Sequence, residues 1–469
     1  MVILAVALAL AIGCAAVIWA TPVNRLRWES WLQLFALSGG AGVGITSVVY
    51  FLLLLAGAAS PPMILTVEVI LLLALAAPAI RLRGTAVLAP ASPAPSPPAS
   101  RGHWLLALAL AGALLMVWPA VGERLQKQPY GGWDAWGIWN VRAKYLAGPG
   151  DSWRNAVSPL LAGKHSDYPL LLSGFIARTW KLSGSSGTGA PIAACVLFSL
   201  LTPALLVSAL AALRGPAHAF LAALLLLGNR TFVADTTSQY ADVPVSFYYL
   251  ATLALVFLAQ HRAALVAAGV FASLAAWTKD EGILFAAISI LTCAWTDWRS
   301  RRWRWMTLGA APVLLLVAFF KLAVAPSLLT PLGNQSLAQL AARAADPGRY
   351  AQIAKAVAAE IYGLGSGPVQ PLLVAAILLV LFRLSISPAH SVSVRFAGWT
   401  FGLLIAGYLA VYLLTDVELG WLLSNSLSRA GTQLWPSCVF LLFVVLGNID
   451  GLLHPRTESR RQARPLRRN

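Results

Sequence analysis

The stretch Asp242-Val-Pro-Val-Ser-Phe-Tyr-Tyr-Leu-Ala-Thr-Leu-Ala-Leu-Val-Phe-Leu-Ala-Gln260 decides the fold. From Val243 to Gln260 it carries no charged side chain, and an apolar run of that length reads as a transmembrane helix. Asp242 suits the cap of that helix and Pro244 its first turn. Working outward, runs of the same kind recur at 1–20, 32–57, 62–80, 104–121, 189–212, 216–234, 263–277, 283–297, 305–325, 369–385, 396–415 and 433–449. The sequence therefore predicts an all-α, polytopic transmembrane helical bundle of about 13 spans. Run 1–20 lacks a basic leading region, so it reads as a span rather than a signal peptide.

Composition agrees. Apolar residues make up 59% and charged residues 11%, against roughly 45–50% and 25% in soluble domains. Cys14, Cys195, Cys293 and Cys438 each fall in an apolar run, where they read as small hydrophobic filler rather than disulfide or metal ligands. The net charge of +17 would suit nucleic acid if it were spread over the surface. It is not. With the carboxyl tail in the cytoplasm and the spans alternating, Arg25, Arg27, Arg81, Arg83, Arg101, Arg214, Arg262, the cluster Arg299 to Arg304, Arg383, Arg395 and the tail arginines share the inner side. The excess is a topology signal and an inner-leaflet contact, and a nucleic-acid partner is excluded.

The parts expected are three leading helices in 1–80, a Pro/Ala/Ser-rich cytoplasmic linker in 81–103, and a transmembrane module in 104–325 with a large outer loop at 122–188. An outer loop with C-terminal helices follows in 326–449, then a basic tail in 450–469. The linker contains Ala89 to Ser100, whose prolines forbid a helix.

Twelve of the 17 acidic residues lie in loops placed outside. Carboxylates contribute little to orientation, so their concentration on one face points to chemistry there. The first outer loop opens Tyr130-Gly-Gly-Trp-Asp-Ala-Trp-Gly-Ile-Trp-Asn-Val-Arg-Ala-Lys-Tyr145. Gly131 and Gly132 permit a sharp exit from the span. Trp133, Trp136 and Asn140 then recur on one helical face, suiting a helix that lies flat at headgroup depth. Asp134 in its first turn is favoured in the ionised form by the helix end. It reads either as a base for an acceptor at the water interface or as a capping residue on an interfacial anchor, with Lys144 on the same short helix.

Three further outer motifs carry charge. His165-Ser-Asp-Tyr-Pro169 precedes a short amphipathic run, 170–182, that carries Arg178 and Lys181 and reads as half-buried. His165 and Asp167 could orient a ligand or simply be solvated. Ser238-Gln239-Tyr240-Ala241-Asp242 leads into the span quoted first. Trp277-Thr-Lys-Asp-Glu-Gly282 makes a tight turn in which Lys279 can bind phosphate as a point charge or pair with Asp280 and Glu281. Arg429, placed in the last outer loop, either pairs with Glu418 or reaches a phosphate. Glu68 stands alone inside an apolar run, where an ionisable group is a functional candidate or a packing-paired one.

These motifs, in this order and on one face, resemble the GT-C superfamily of integral-membrane glycosyltransferases, which includes protein mannosyltransferases and the aminoarabinose transferase of lipid A. The likeness covers about residues 104–300 and is that of an uncharacterised bacterial branch. Asp134 falls at the family's acidic position in the first large outer loop, Tyr168-Pro169 at the opening of its half-buried helix, and Asp242 at its second acidic position. The resemblance implies a polyprenyl-phosphate sugar donor, an envelope glycan, lipid or protein acceptor arriving from the outer face, and a site in the bacterial inner membrane. Asp134 would be the general base of an inverting transfer. Trp133, Trp136, Asn140, Lys144, His165, Asp167, Tyr168, Gln239, Tyr240, Asp242, Lys279, Asp280, Glu281 and Arg429 would contact substrate, with Lys279 foremost and Arg429 second at the leaving phosphate. No cofactor is expected and no divalent metal is indicated, because the first loop lacks the acidic pair found in some members. Three leading spans depart from the family pattern. The competing class is a transporter or lipid flippase, which calls for paired ionisable groups or broken helices near the bilayer midplane. A non-catalytic scaffold would explain the Trp-rich loop but not three separate acidic motifs on one side.

Overall fold

In the computed structural model of the chain, residues 1–18, 27–83, 101–326, 335–364 and 370–449 are described. The linker core 84–100, the tail 450–469 and the outer-loop segments 327–334 and 365–369 lie outside them, as does Arg25. Among the described residues the fold is helical throughout, the one sheet-like feature being a bridge between Leu384 and Leu446.

The helices are α1 (Val2–Val17), α2 (Trp28–Leu55), α3 (Pro61–Arg83), α4 (Arg101–Lys127), α5 (Val141–Leu146), α6 (Leu171–Ser183), α7 (Gly189–Arg214), α8 (Pro216–Leu227) and α9 (Arg230–Asp235). They continue as α10 (Asp242–Leu258), α11 (Arg262–Thr278), α12 (Asp280–Thr296), α13 (Arg302–Phe319), α14 (Leu337–Ala344), α15 (Pro347–Gly363), α16 (Pro371–Phe382), α17 (Ser391–Leu414) and α18 (Leu419–Val445). Among the described residues five are long and apolar enough to cross a membrane: α2, α4, α7, α13 with the π turn that continues it to Val324, and α17 with the short turn before it. Six apolar helices are shorter. The chain is an integral membrane protein.

Helix α10, the stretch quoted first, is buried along nearly its whole length, with α2, α7, α11, α17 and α18 packed around it. Apolar helices in lipid gain little from exclusion of water and associate through close backbone contact at small residues. Two crossings show this. A Cβ on Gly13 of α1 would lie 1.9 Å from the Ser38 carbonyl of α2, and one on Gly269 of α11 would lie 1.9 Å from the Met306 carbonyl of α13. Substituting either glycine would push a helix pair apart.

Three expectations need correction. The span read at 216–234 is broken: α8 ends at Leu227, and Asn229 caps α9 by accepting from the Phe232 amide at 3.1 Å. At 12 residues, α16 is about 18 Å long, short of the roughly 30 Å hydrocarbon core. The half-buried, amphipathic helix expected at 170–182 is instead enclosed, with all residues from Leu171 to Trp180 buried. What permits this is Glu68 of α3, which is not alone. Both of its oxygens accept from Arg178 of α6, Nε at 2.7 Å and Nη2 on the other oxygen, while Nη1 donates to the Ala5 carbonyl of α1 at 2.8 Å. Neither side chain is exposed. The leading helices are accordingly knitted into the bundle, α2 touching α6, α7, α10 and α11.

One end of the bundle is closed by polar ties around Leu446 and Gly447. Arg214 donates to the Leu446 carbonyl, and the His218 ring meets the Gly447 carbonyl at 2.9 Å. The acidic motifs gather at the opposite end, where α10 begins.

Candidate active site

Four chain segments meet at the start of α10. Asp242 is its first residue, but its carboxylate caps nothing: the N-cap is Ala241, and no side-chain capping bond is made. Instead Oδ1 accepts from Lys279 Nζ at 2.9 Å and from Gln433 Nε2 at 2.6 Å. Oδ2 accepts from Arg429, Nε at 3.0 Å and Nη2 at 2.9 Å. A fully buried carboxylate is stable as an ion only when paired and hydrogen-bonded, and Asp242 has both.

Arg429 extends the network. Its Nη1 lies 2.6 Å from Asp134 Oδ2, so one guanidinium holds two carboxylates far apart in sequence. Its cation also sits over the Tyr240 ring at 5.1 Å. The arginine fork lets Nε and Nη2 grip Asp242 while Nη1 points at Asp134, a directed three-nitrogen hold that the single nitrogen of a lysine does not give. Lys279 lies between α11 and α12 and is held by Asp242 and by Glu281 at 2.9 Å. Burial depresses its pKa, but the two carboxylates outweigh that, and the net direction is upward. The hairpin is tight because Gly282 rides on the Ala275 carbonyl, 1.9 Å from where a Cβ would stand. Gln433 is oriented in turn by Tyr408, whose hydroxyl donates to its Oε1 at 2.6 Å and lies 3.2 Å from the Tyr249 hydroxyl.

A second charged group adjoins the first. Lys321, in the π turn Phe320–Val324, pairs with Asp280 at 2.7 Å and Asp167 at 3.3 Å. Tyr168 stacks between His165 at 4.5 Å and Trp139 at 5.8 Å, with Lys279 Nζ 5.9 Å from its ring. Burial lowers the His165 pKa, with Asp167 the leading opposing charge, and raises that of Tyr168. His165 adopts φ 49°, a left-handed conformation uncommon outside glycine. Arg142 is fully buried and clamps the loop through the carbonyls of Ala156, Ser166 and Tyr168.

Helix α2 reaches the same region. Ser47 Oγ donates to the Leu170 carbonyl at the head of α6 and accepts from Trp277 Nε1, two residues before Lys279, both at 3.2 Å. Tyr50 donates to the Leu146 carbonyl at 2.7 Å.

The loop carrying Asp134 docks on the segment before α10. Gly131 takes φ 74°, the Gly132 amide donates to the Ser238 carbonyl at 3.0 Å, and Gln239 Nε2 donates to the Pro129 carbonyl at 3.0 Å. The helix expected after Gly132 is a π turn from Ala135 to Asn140, a form frequent at functional sites. Trp133 and Trp136 are half exposed with rings 5.8 Å apart, whereas Asn140 is 7% exposed and does not share their surface. The wider turn rotates it inward. An open recess of about 650 Å³ runs along Lys127 to Trp133 and Trp136, and a smaller cavity of about 180 Å³ lies behind Trp136, bordered by Asn140, Lys144, Trp180 and Thr188.

The structure thus brings Asp134, Tyr240, Asp242, Lys279, Glu281 and Arg429 into one cluster, with His165, Asp167, Tyr168 and Asp280 beside it. Trp133, Trp136, Asn140 and Lys144 line the adjoining cavities, and Gln239 serves the docking of the loop. Arg429 is not in a loop, as expected, but one and a half turns before the apolar half of α18. The polar face of that helix, with Ser426, Arg429, Thr432 and Gln433, turns inward to the site and dilutes the hydropathy that marks a span. Glu418 does not pair with it; its carboxylate caps α18 through the Gly420 and Trp421 amides. Sequence reasoning missed Gln433, Tyr408, Lys321, Arg142 and Ser47. Lys321 alone carried a signal, as an ionisable residue near the end of an apolar run.

Among the described residues no three His, Cys, Asp or Glu side chains converge as metal ligands. No curated protein and no solved structure matches the chain. Residues 167–322, about a third of the chain, match the family model of dolichyl-phosphate-mannose-protein mannosyltransferases. That segment runs from Asp167 through Asp242, Lys279 and Lys321, and leaves Asp134 and Arg429 on either side. Over this segment, set in an all-helical membrane bundle, the chain is similar to membrane glycosyltransferases of the GT-C type.

Proposed function

We propose that the protein transfers a sugar from a polyprenyl-phosphate donor to an acceptor hydroxyl at the outer face of a bacterial inner membrane, with inversion, and that Asp134 is the general base. The observation that carries the reading is the bridge made by Arg429 between Asp134 and Asp242. Asp242 is fully enclosed and held by three partners, so it anchors the guanidinium. Asp134 is 13% exposed and, among the described residues, its carboxylate pairs with Arg429 alone, so we read it as the carboxylate that can be exchanged.

The chemistry follows from that asymmetry. A donor phosphate arriving beside Arg429 competes with Asp134 for Nη1. The freed carboxylate then accepts the proton of the acceptor hydroxyl as its oxygen attacks the anomeric carbon. The bond from that carbon to the phosphate oxygen breaks with its electron pair, and the free polyprenyl phosphate leaves. Charge grows on the departing phosphate, and preorganised cations lower the barrier for such a step. Arg429 is better placed for this than Lys279, which is buried and already matched by Asp242 and Glu281.

A transporter reading draws on the buried pair of Glu68 and Arg178. Both side chains are shut off from solvent, and neither cavity reaches them, which suits a structural tie better than a translocation path. The test is to incubate the purified full-length protein with a panel of polyprenyl-phosphate sugars and follow free carrier phosphate. Asp134→Asn is expected to lower turnover about 100-fold or more while donor binding persists. Transfer at the parental rate in that variant would remove Asp134 as the base.

A further inference from the structure

We infer that the recess and the smaller cavity beside Asp134 form a subsite for a carbohydrate acceptor. The inference rests on the glycosyl transfer proposed above and narrows its acceptor, left there as glycan, lipid or protein, to a saccharide. The open recess of about 650 Å³ falls within the roughly 300–1,000 Å³ of ordinary ligand sites. Behind it, about 180 Å³ gives room for on the order of six waters at about 30 Å³ each. Pro129, Tyr130 and Trp136 border both spaces.

The lining has two kinds of surface. Trp133 and Trp136, at 65° to one another, make an apolar corner on the flank of Asp134. Deeper in, Asn140 is 7% exposed and its amide has no hydrogen-bond partner among the described residues. A carboxamide on a cavity wall offers a donor and an acceptor to the water or ligand that fills the space. Lys144, exposed and without an ion pair among the described residues, stands on the same wall.

A sugar matches this pairing. Its C–H face packs on an indole, and its hydroxyls both donate and accept, as a carboxamide does. A peptide acceptor fits less well, because the backbone amides along the recess are already spent: Gly131 donates to Gln128, and Gly132 to Ser238. No strand could be added there. A lipid tail would find Trp136, Val141 and Trp180 in the deeper space but would leave Asn140, Lys144 and Thr188 on the same wall without partners, whereas a sugar uses both kinds of surface.

The intrinsic tryptophan fluorescence of the full-length protein, titrated with mannobiose, cellobiose and chitobiose, tests the assignment. At least one disaccharide should give a saturable change. Asn140→Ala should weaken its binding about 10-fold, the loss of one buried hydrogen-bonding group. Lys144→Ala, at an exposed position that puts the fold at no risk, should weaken it several-fold, whereas Lys355→Ala on α15 should leave it unaltered. The assignment is overturned by no saturable response to any of the three, by a response that both site variants retain in full, or by competition from a Ser/Thr peptide. Quenching by brominated lipid that a disaccharide does not relieve would also overturn it, leaving the two indoles as a membrane anchor. Carrier-phosphate release is measured on the same preparation. Donor cleavage without saccharide binding sinks the subsite alone, and saccharide binding without donor cleavage sinks the transfer reaction.

Discussion

Replacing Glu68 by leucine isolates the energetic role of the leading helices. In the native protein the Arg178 guanidinium has three acceptors, two carboxylate oxygens and the Ala5 carbonyl, and no exposure. The variant keeps the carbonyl alone, leaving a cation buried among α1, α3 and α6 with its charge unanswered. Breaking a buried pair by deleting one member costs about 3–5 kcal/mol, or between 100-fold and several thousand-fold in the folding equilibrium at about 1.4 kcal/mol per decade. Removing both charges should undo most of that: Glu68→Leu with Arg178→Met exchanges an ion pair for apolar contact, a change that is often neutral or stabilising. Denaturation of the bicelle-reconstituted protein, followed by tryptophan fluorescence, measures all three. If the single variant loses less than about 1 kcal/mol, or the double variant is as unstable as the single, the pair is not the tie described above.

Further expectations concern the site. Arg429→Lys keeps the charge but gives up the bidentate grip on Asp242 that aims the third nitrogen at Asp134, so kcat/KM for carrier-phosphate release should fall on the order of 100-fold; an unimpaired lysine variant would contradict the role of the fork. Ser47→Ala removes the donor to Leu170 and the acceptor for Trp277, which should cost about 1–3 kcal/mol in unfolding free energy and also lower turnover, as α6 and the Lys279 turn lose their common contact. Unchanged turnover would make Ser47 a packing residue only. Burial pushes the Asp235 carboxyl up to about 6, with the Thr432 hydroxyl bond opposing. Because its unfolded value is about 3.9, the native state holds the proton more tightly. Stability contributed by this group is therefore full below about pH 4 and declines as pH rises towards about 6. Asp235→Asn should flatten that decline in thermal unfolding measured against pH; an identical profile in the variant would refute it.

The all-helical membrane architecture was legible because burial in lipid imposes a local requirement, an unbroken apolar run. What escaped the sequence was what depends on distant partners. The break at Gly228-Asn229 was hidden because an Asn cap inside an apolar stretch barely lowers the average. The start of α18 was hidden for the converse reason, since its inward polar face made half a helix look like a loop. At the site, Asp134, Asp242, Lys279 and Arg429 could be named from residue type and sidedness alone. Their pairing could not, because it is set by which helix faces which. Glu68 shows the same limit: as a solitary acid it pointed to function or to packing, and only Arg178, more than a hundred positions away, explains it.

The guanidinium that joins Asp134 to Asp242 is contributed by the last described helix. During synthesis Asp242 can meet Lys279 early, but Asp134 must wait for its partner until α18 has entered the bilayer. A chain released before that point would hold the region matched to the mannosyltransferases and still lack the cation that joins its two acids. Under the proposed transfer, chemistry would thus wait on the insertion of α18, and a chain that stops short of that helix would be inert.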